Sequence, residues 1–334
     1  MTKRILTGIK PTGQVHLGNY IGAIKPALDL ARDDRYEAYY FVADYHGFTR
    51  TPDPEEFKQL SYGIAATWIA LGLDYEKATF YRQSDIPEVF ELNWILACYS
   101  SKGLMNRAHA YKALTEENKR NGNDIDDGVN MGLYTYPILM AADILLYNSD
   151  LVPVGKDQIQ HVEIARDLAQ TFNNKYGHTF TLPEYKVEED TAVLLGLDGR
   201  KMSKSYNNTI PLFSDEGQLL KLVKKIKTDS SLPGEPKDPK SSLLFSLYKQ
   251  FASAGQTEQM KAHYEDGISW GEAKQQLFEV MNEALKEPRE KYNELMSNPE
   301  RLDSILLEGA EKAREKAIPF MKEVRKKIGL TRYI

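Results

Sequence analysis

Two segments far apart in the chain are rich in groups that bind phosphate. The first is Pro11-Thr12-Gly13-Gln14-Val15-His16-Leu17-Gly18-Asn19-Tyr20, which follows a short apolar run. Backbone N–H groups at the start of a helix attract phosphate oxygens, and Gly18 has no side chain to keep a ligand from the backbone. His16 adds a donor that can meet negative charge developing on a phosphate. A glycine-rich turn with an incidental histidine explains this segment equally well when it is taken alone.

The second segment is Lys201-Met202-Ser203-Lys204-Ser205, shortly after Asp198-Gly199. Two lysines and two hydroxyls on a short loop can hold a polyphosphate, and a loop can close over a nucleotide and then release it. Taken alone, a solvated basic loop is the more frequent explanation. The chain has neither G-x-G-x-x-G nor G-x-x-x-x-G-K-[ST], so a dinucleotide fingerprint and a P-loop are excluded.

Strand and helix patterns alternate in the part of the chain that joins these segments. Short apolar and aromatic runs predict strands at 4–9, 37–43, 78–83, 151–154 and 191–197. Helical spacing predicts helices at 18–33, 54–71, 88–101, 104–119, 129–147 and 157–176, with a mobile polar loop at 118–127. This order predicts an α/β fold, a Rossmann-like parallel sheet with a helical insertion around 85–145. The first segment then lies between the first strand and its helix, where open parallel sheets bind nucleotides.

Beyond residue 205 the pattern is almost purely helical. Helices are predicted at 214–227, 240–254, 269–286 and 299–328. We therefore predict a catalytic domain at 1–205 and a smaller all-helical region at 206–334, whose last helix packs back on the catalytic domain. Charge divides at the same place, because residues 1–200 hold 20 basic and 28 acidic residues and residues 201–334 hold 23 and 20. The basic C-terminal part is compatible with nucleic acid binding there.

The composition of the 334 residues is that of an ordinary globular protein, 42% hydrophobic and 27% charged. It excludes a disordered chain, a collagen-like chain and a small disulfide scaffold. The single cysteine, Cys98, can form neither an internal disulfide nor a cysteine-based zinc site. The chain shows no signal-peptide pattern and no apolar run of the ~20 residues that a membrane span needs, so we expect a cytoplasmic protein without membrane contact.

Taken together, the two segments resemble the paired signatures of the class I aminoacyl-tRNA synthetases. Residues 136–147, Tyr-Pro-Ile-Leu-Met-Ala-Ala-Asp-Ile-Leu-Leu-Tyr, and 152–161, Val-Pro-Val-Gly-Lys-Asp-Gln-Ile-Gln-His, narrow the resemblance. They are similar to the amino-acid and ribose segments of the bacterial tryptophan-specific members of that family. Gly8-x-x-Pro-Thr-Gly is also similar, and the resemblance covers essentially the whole chain.

The resemblance implies a two-step reaction. The carboxylate of L-tryptophan attacks the α-phosphate of ATP, which gives tryptophanyl-adenylate and pyrophosphate, and a terminal ribose hydroxyl of tRNA(Trp) then attacks the adenylate. Neither step demands a protein nucleophile, so catalysis rests on positioning and charge stabilisation. The resemblance also implies Mg²⁺ carried on ATP with no metal held by the protein, anticodon contacts in the helical C-terminal part, and a homodimer with its interface around 85–145.

The implied site residues form three sets. The catalytic set is His16, Asn19, Lys201 and Lys204. The ATP-binding set is Lys10, Pro11, Thr12, Gly18, Asn19, Gly155, Lys156, Asp157, Val193, Lys201, Met202, Ser203, Lys204 and Ser205. The tryptophan-binding set is Leu6, Gly8, His46, Tyr136, Met140, Asp143, Ile144, Val152, Val154 and Gln158. In the last set, Tyr136 and Gln158 are implied to hold the amino group.

Residue chemistry supports the role that the resemblance gives Asp143. A lone carboxylate in an apolar helix is costly unless something donates to it, and an indole N–H is a donor without acceptor capacity. A contact between the two would satisfy both, whereas an aspartate paired with a neighbouring protein group is the alternative. The resemblance implies that His46 lies near the substrate ring, and a hydrogen-bonded structural residue is the alternative. We expect His161 to cap or pack its helix.

The sequence departs from the family in the phosphate-binding region. Leu17 and Asn19 replace the usual letters of the first signature, and Lys10 replaces a frequent glutamine. Ala110 and Leu114 stand where other members use a glutamine and a lysine for ATP, so an ATP contact from that helix is in doubt.

The sequence leaves three alternatives to a tryptophan-specific synthetase. A tyrosine-specific synthetase would need polar partners for a phenol hydroxyl. A small-molecule adenylyltransferase would lack the basic helical tail. A non-catalytic RNA-binding relative would show no pyrophosphate exchange.

Overall fold

The computed structural model describes residues 2–50, 52–187 and 194–331. Its centre is a five-stranded sheet in the order β3-β2-β1-β4-β5, and every neighbouring pair is parallel. The strands are β1 Lys3–Ile9, β2 Tyr36–Val42, β3 Thr79–Arg82, β4 Leu151–Pro153 and β5 Glu184–Lys186. The predicted parallel α/β class is therefore confirmed.

Four of the strands lie where the sequence patterns place them, and the fifth does not. The short strand β5 is mostly exposed, so it lacks the buried apolar run that predicts a strand. The strand predicted at 191–197 is wrong in its described part, since 194–197 contributes a single antiparallel bridge between Leu195 and Lys201. Residues 191–193, including Val193, lie outside the described residues.

The described chain contains fourteen α-helices. They are α1 Leu17–Asn19, α2 Lys25–Arg32, α3 Asp44–Gly47, α4 Pro54–Ala70, α5 Glu88–Ala97, α6 Lys102–Asn106, α7 His109–Asn121, α8 Met131–Leu146, α9 Ile159–Tyr176, α10 Glu216–Lys224, α11 Leu243–Phe251, α12 Ala254–Glu265, α13 Trp270–Met296 and α14 Pro299–Lys327. A π-helical turn, Tyr20–Ile24, joins α1 to α2. None of the described helices is long and apolar enough to cross a membrane.

The helix boundaries differ from the predictions at identifiable residues. Helix α12 was not predicted because it buries only Met260 and Tyr264, which is too few apolar positions for a periodic signal. Helix α13 runs ten residues past the predicted end at 286 and contains Pro288, a residue that normally ends a helix. The loop predicted at 118–127 begins inside α7, and the Asn118 amide donates to the carbonyls of Ile125 and Asp127, which ties the following turns to the helix.

Three apolar clusters hold the elements together. One lies between the sheet and α5, α8, α9 and α14, and a second lies between the opposite sheet face and α2 and α4. The third joins the first turn of α1 to α10, α11, α12 and α13. Because Leu17 belongs to this third cluster, the C-terminal helices are anchored directly beside the first phosphate-binding segment.

Helix α14 returns to the sheet and packs along β3. At Gly309, an added Cβ would lie 1.7 Å from the carbonyl oxygen of Phe80 in β3. Ion pairs between Arg314 and Glu88 and between Arg325 and Glu91 join the same helix to α5. The contact with β3 requires glycine at position 309, since the strand backbone occupies the space of a side chain.

Candidate active site

The two segments predicted to bind phosphate, about 190 residues apart in sequence, meet at the carboxyl end of β1. His16 and Pro211 form an antiparallel bridge, and the Leu17 N–H donates to the Ile210 carbonyl at 3.0 Å. Lys204 Nζ donates to the Thr12 carbonyl at 3.3 Å, and an added Cβ at Gly13 would lie 2.8 Å from the same nitrogen. One surface therefore carries both signatures.

His16 and Asn19 hold each other in place at the start of α1. The Asn19 N–H donates to His16 Nδ1 at 3.3 Å, and the His16 N–H donates to Asn19 Oδ1 at 3.1 Å. Burial and the nearby charge of Lys204 lower the pKa of His16 to about 4, so its ring is neutral at pH 7. Because Nδ1 accepts, the proton of the neutral ring lies on Nε2, which makes Nε2 a donor. Gly18 leaves room for this ring, since its Cβ would lie 3.0 Å from it.

The lysine-bearing loop is held from below by Asn208. Its Oδ1 accepts from the Ser203 N–H at 2.8 Å, and its amide donates to Asp198 Oδ1 at 2.7 Å and to the Lys201 carbonyl at 3.1 Å. Asn208 is buried, whereas Lys201, Lys204 and Ser205 are exposed. Asn208 is not among the site residues predicted from the sequence, where its only signal is its place in an Asn-Asn pair after the loop.

Of the other side chains in the loop, one is packed into the protein and the serines lie nearer its surface. Met202 is 5% exposed and packs into the third apolar cluster, while Ser203 Oγ and Ser205 Oγ lie 2.8 Å apart. Although much of the Lys204 side chain is exposed, its ammonium end lies against Thr12 and Gly13, and the resulting partial desolvation lowers the pKa of Lys204. The loop thus presents lysine and hydroxyl groups outward on an apolar anchor.

A second group of predicted ATP residues follows β4. Gly155 precedes the 3₁₀ turn Lys156–Gln158, and an added Cβ at Gly155 would lie 2.8 Å from Asp157 Oδ1. The Gln158 amide donates to Asp157 Oδ2 at 3.0 Å. Since β4 is the neighbour of β1, this turn and the first segment occupy adjacent strand ends. Lys10, at the end of β1, has its pKa lowered by burial and by Arg50.

Asp143 is 2% exposed, and two protein side chains donate to it. His46 Nε2 lies 2.8 Å from Oδ2, and Gln83 Nε2 lies 2.8 Å from Oδ1 and 2.9 Å from Oδ2. Burial raises the pKa of Asp143, while His46 and Gln83 act in the opposite direction. The Asp143 carboxylate therefore has protein partners. A pairing of this kind was the alternative to the predicted contact with an indole N–H. Gln83 was missed, and its only signal is a polar residue directly after the third strand.

Half-buried Tyr136 and buried His161 form a second polar pair beside this one. The Tyr136 hydroxyl lies 2.8 Å from His161 Nε2, Lys10 Nζ lies 5.6 Å from the centre of the Tyr136 ring, and the His46 ring meets that ring edge-on. Burial and Asp157 raise the pKa of Tyr136 to about 12. His161 is packed inside the protein, as expected, and its ring also reaches Tyr136, a predicted site residue.

The predicted apolar walls gather in the first cluster. Leu6, Ile144 and Val152 are buried in it, and Met140 and Val154 pack against it partly exposed. An added Cβ at Gly8 would lie 2.4 Å from the Phe41 ring, so glycine is required there. The structure brings the five predicted apolar wall residues to one cluster. Core packing alone accounts for Leu6, Ile144 and Val152.

Ala110 and Leu114 lie on α7, beside an open cavity of about 530 Å³. Its lining includes Arg107, Lys112 and Gln160, and Gln160 bonds the Arg107 carbonyl and the His109 N–H. The described residues contain no group of three or more His, Cys, Asp or Glu side chains that could hold a metal ion.

The parallel sheet, the turn after β1 and the lysine loop that closes on it define a class I type of nucleotide site. The family described as tRNA synthetases class I (W and Y) matches residues 2–286, and the chain belongs to this family. It is 56% identical to the tryptophan–tRNA ligase of Pseudomonas aeruginosa over 99% of this chain and 74% of that protein. It is 54% identical to that of Neisseria meningitidis over 98% of each chain.

A solved structure of similar fold carries ligands. The tryptophanyl-tRNA synthetase of Campylobacter jejuni, crystallised with ADP and tryptophan, superposes with a TM-score of 0.88 and 46% identity. The match covers 98% of this chain and 99% of that one.

Proposed function

We propose that this chain is a tryptophan–tRNA ligase, which activates L-tryptophan with ATP and transfers it to the terminal ribose of tRNA(Trp). The observation that carries the proposal is the contact of the lysine loop with the first segment, where Lys204 Nζ reaches the Thr12 carbonyl at 3.3 Å. The contact brings the Lys204 ammonium to the turn after β1, where its charge also acts on the His16 ring. This turn suits a polyphosphate whose charge grows on a leaving pyrophosphate.

In this proposal ATP lies across the ends of β1 and β4. Its phosphates meet His16, Asn19, Lys201 and Lys204, and its ribose meets Gly155 and Asp157. Asn19 Oδ1 is engaged with the His16 N–H, so the side chain would contact phosphate through its amide nitrogen. The phosphate side is built from donors and cations rather than from a carboxylate cluster, which fits Mg²⁺ that arrives on ATP. The ion would supply neutralisation of phosphate charge.

Tryptophan then lies beside Asp143 and Tyr136 in this proposal. Asp143 Oδ2 already accepts from both His46 and Gln83, while Oδ1 accepts from Gln83 only among the described residues. A carboxylate offers about four acceptor positions, so Oδ1 has capacity for the indole N–H. His46 and Gln83 would hold the carboxylate in the orientation that the indole needs.

tRNA(Trp) contacts the helical C-terminal part in this proposal. Exposed lysines follow one another along the end of α10 and beyond it, at Lys221, Lys224, Lys225 and Lys227. Each phosphate contact releases counterions, so affinity for tRNA should fall steeply with salt. A tRNA affinity that did not change between low and moderate salt would contradict this part.

We also propose a homodimer formed through the insertion around 85–145. Trp94 on α5 is 72% exposed and Met131 on α8 is 70% exposed, which is unusual for large apolar side chains. Burial of such residues against a second copy would remove their apolar surface from water. Sedimentation of the Trp94→Glu variant should show a monomer if this face forms the interface. The cytoplasm, where tRNA charging takes place, is the proposed location.

The central experiment is amino-acid-dependent pyrophosphate exchange with each of the twenty amino acids. We expect exchange with tryptophan and none above background with tyrosine. Exchange driven by tyrosine would reassign the substrate. Exchange without charging of tRNA would favour an adenylyltransferase, and no exchange at all would favour a non-catalytic relative.

A further inference from the structure

His161 is a buried imidazole on an otherwise apolar helix face. It is 1% exposed, and its neighbours Val162, Ile164 and Ala165 belong to the first cluster. Among the described residues, Nδ1 has no hydrogen-bond partner and Nε2 meets the Tyr136 hydroxyl at 2.8 Å. A polar ring in such a place costs free energy, so the one bond it makes calls for an explanation.

The ring is neutral, because burial and the charge of Lys10 lower the pKa of His161 to about 4. A neutral imidazole has one N–H and one bare nitrogen, which leaves two arrangements. Either Nδ1 carries the proton and Nε2 accepts from the tyrosine hydroxyl, or Nε2 carries it and donates to the phenol oxygen. Each arrangement leaves Nδ1 without a partner, so the protein alone does not favour one over the other.

A substrate ammonium distinguishes the two arrangements. An ammonium only donates, so the Tyr136 oxygen must accept from it. If Nε2 accepts a hydrogen bond from the hydroxyl, both lone pairs of the phenol oxygen remain for the substrate. If Nε2 donates instead, its bond uses one lone pair. The hydroxyl proton then has to lie beside the positively charged ammonium. Hydrogen bonds in a chain also polarise one another, so the first arrangement strengthens as the ammonium binds.

We infer that His161 is a positioning residue. It accepts a hydrogen bond from the Tyr136 hydroxyl and thereby leaves the phenol oxygen as an acceptor for the substrate α-ammonium group. The inference rests on the proposed function, in which Tyr136 holds that group. The amide nitrogen of Gln158 donates to Asp157 Oδ2 at 3.0 Å, so it is the amide oxygen of Gln158 that would accept from the same ammonium.

The first test compares His161→Leu with the native protein on two ligands. We expect the Kd of L-tryptophan to rise about tenfold, at the lower end of what a hydrogen bond to a charged group provides. The Kd of indole-3-propionate, which lacks the amino group, and the KM of ATP should stay within twofold. His161→Gln, whose amide oxygen can also accept a proton, should recover most of the tryptophan affinity. Equal losses for both ligands would overturn the inference, because a distorted pocket would weaken both.

Two further variants separate the hydrogen bond from helix stability. Tyr136→Phe should weaken tryptophan at least as much as His161→Leu, and the double variant should be no weaker than Tyr136→Phe. Phe172→Leu alters a fully buried position on the same helix and should leave both ligand affinities unchanged. Additive losses in the double variant would show that His161 does not act through Tyr136.

A spectroscopic measurement covers the case in which His161→Leu does not fold. Long-range ¹H–¹⁵N spectra of the native protein with labelled histidine distinguish a protonated from a bare ring nitrogen. In the tryptophan complex we expect His161 with the proton on Nδ1, and a proton on Nε2 would overturn the inference. Native protein that exchanges pyrophosphate with tyrosine instead would refute the proposed substrate and not the proton arrangement, since tyrosine carries the same ammonium group.

Discussion

Replacement of Asp143 by alanine should weaken tryptophan use by one to two powers of ten. The carboxylate would give the indole N–H a hydrogen bond to a charged group, which contributes roughly 1.5–3 kcal/mol, and about 1.4 kcal/mol corresponds to a factor of ten. ATP should be affected far less, because the groups proposed for its phosphates and its ribose lie at the ends of β1 and β4. The assay is pyrophosphate exchange at varied tryptophan and at varied ATP.

The structure adds a stability cost to the same substitution. Asp143→Ala leaves the buried donors of His46 and Gln83 without their acceptor, at about 1–3 kcal/mol for each buried unsatisfied group. Relief from burying a carboxylate offsets part of this cost, because burial raises the pKa of Asp143. Asp143→Asn keeps the volume and one acceptor, so it should unfold at a higher denaturant concentration than Asp143→Ala.

A ligand without the indole N–H separates binding from stability. The benzothiophene analogue of tryptophan has the same shape and no donor at that position. It should bind the native protein more weakly than tryptophan does, and Asp143→Ala should weaken it little further. The two losses therefore should not add. Simple additivity would make Asp143 a structural carboxylate held by His46 and Gln83, and pocket shape would then have to set the specificity.

Lys204→Ala should lower the single-turnover rate of adenylate formation strongly and leave tryptophan affinity within about twofold, because its charge faces the phosphates; an unchanged rate would contradict that role. Gly309→Ala should destabilise the protein by about 1–3 kcal/mol or more in urea unfolding, since the new methyl group meets the backbone of β3. The matched control Gly255→Ala, on a helix with open space around it, should be neutral or stabilising by up to about 1 kcal/mol; equal effects would refute the packing argument. The native protein should lose stability as pH falls from 6.5 towards 4. The reason is that His161 binds a proton in the unfolded chain but not in the folded one, where its pKa is about 4. The full loss in the free energy of unfolding is roughly 3 kcal/mol. His161→Leu should remove that part of the slope, and an unchanged slope in urea unfolding at pH 7, 6 and 5 would exclude this source.

The sequence by itself determined the class of fold and predicted where phosphate chemistry would lie. Strands and helices follow from local periodicity, which is why β1 to β4 lie within a few residues of their predicted places. The turn between β1 and α1 follows from the same order, since parallel sheets gather their binding groups at strand ends. Where the local signal is absent, as in exposed β5 and weakly apolar α12, the sequence missed the element.

Only the tertiary structure decided which polar groups are partners. The sequence established that Asp143 needs a donor, but His46 lies 97 residues away and Gln83 lies 60 away, so no spacing rule connects them. The partners of His161 and Asn208 could not be predicted for the same reason, because a buried polar residue has no local pattern that identifies its partner. The fit of Gly309 against Phe80 likewise depends on two elements 229 positions apart meeting within van der Waals distance. Periodicity places each side chain on a face of its own element, and the packing of elements against one another then determines what that face meets.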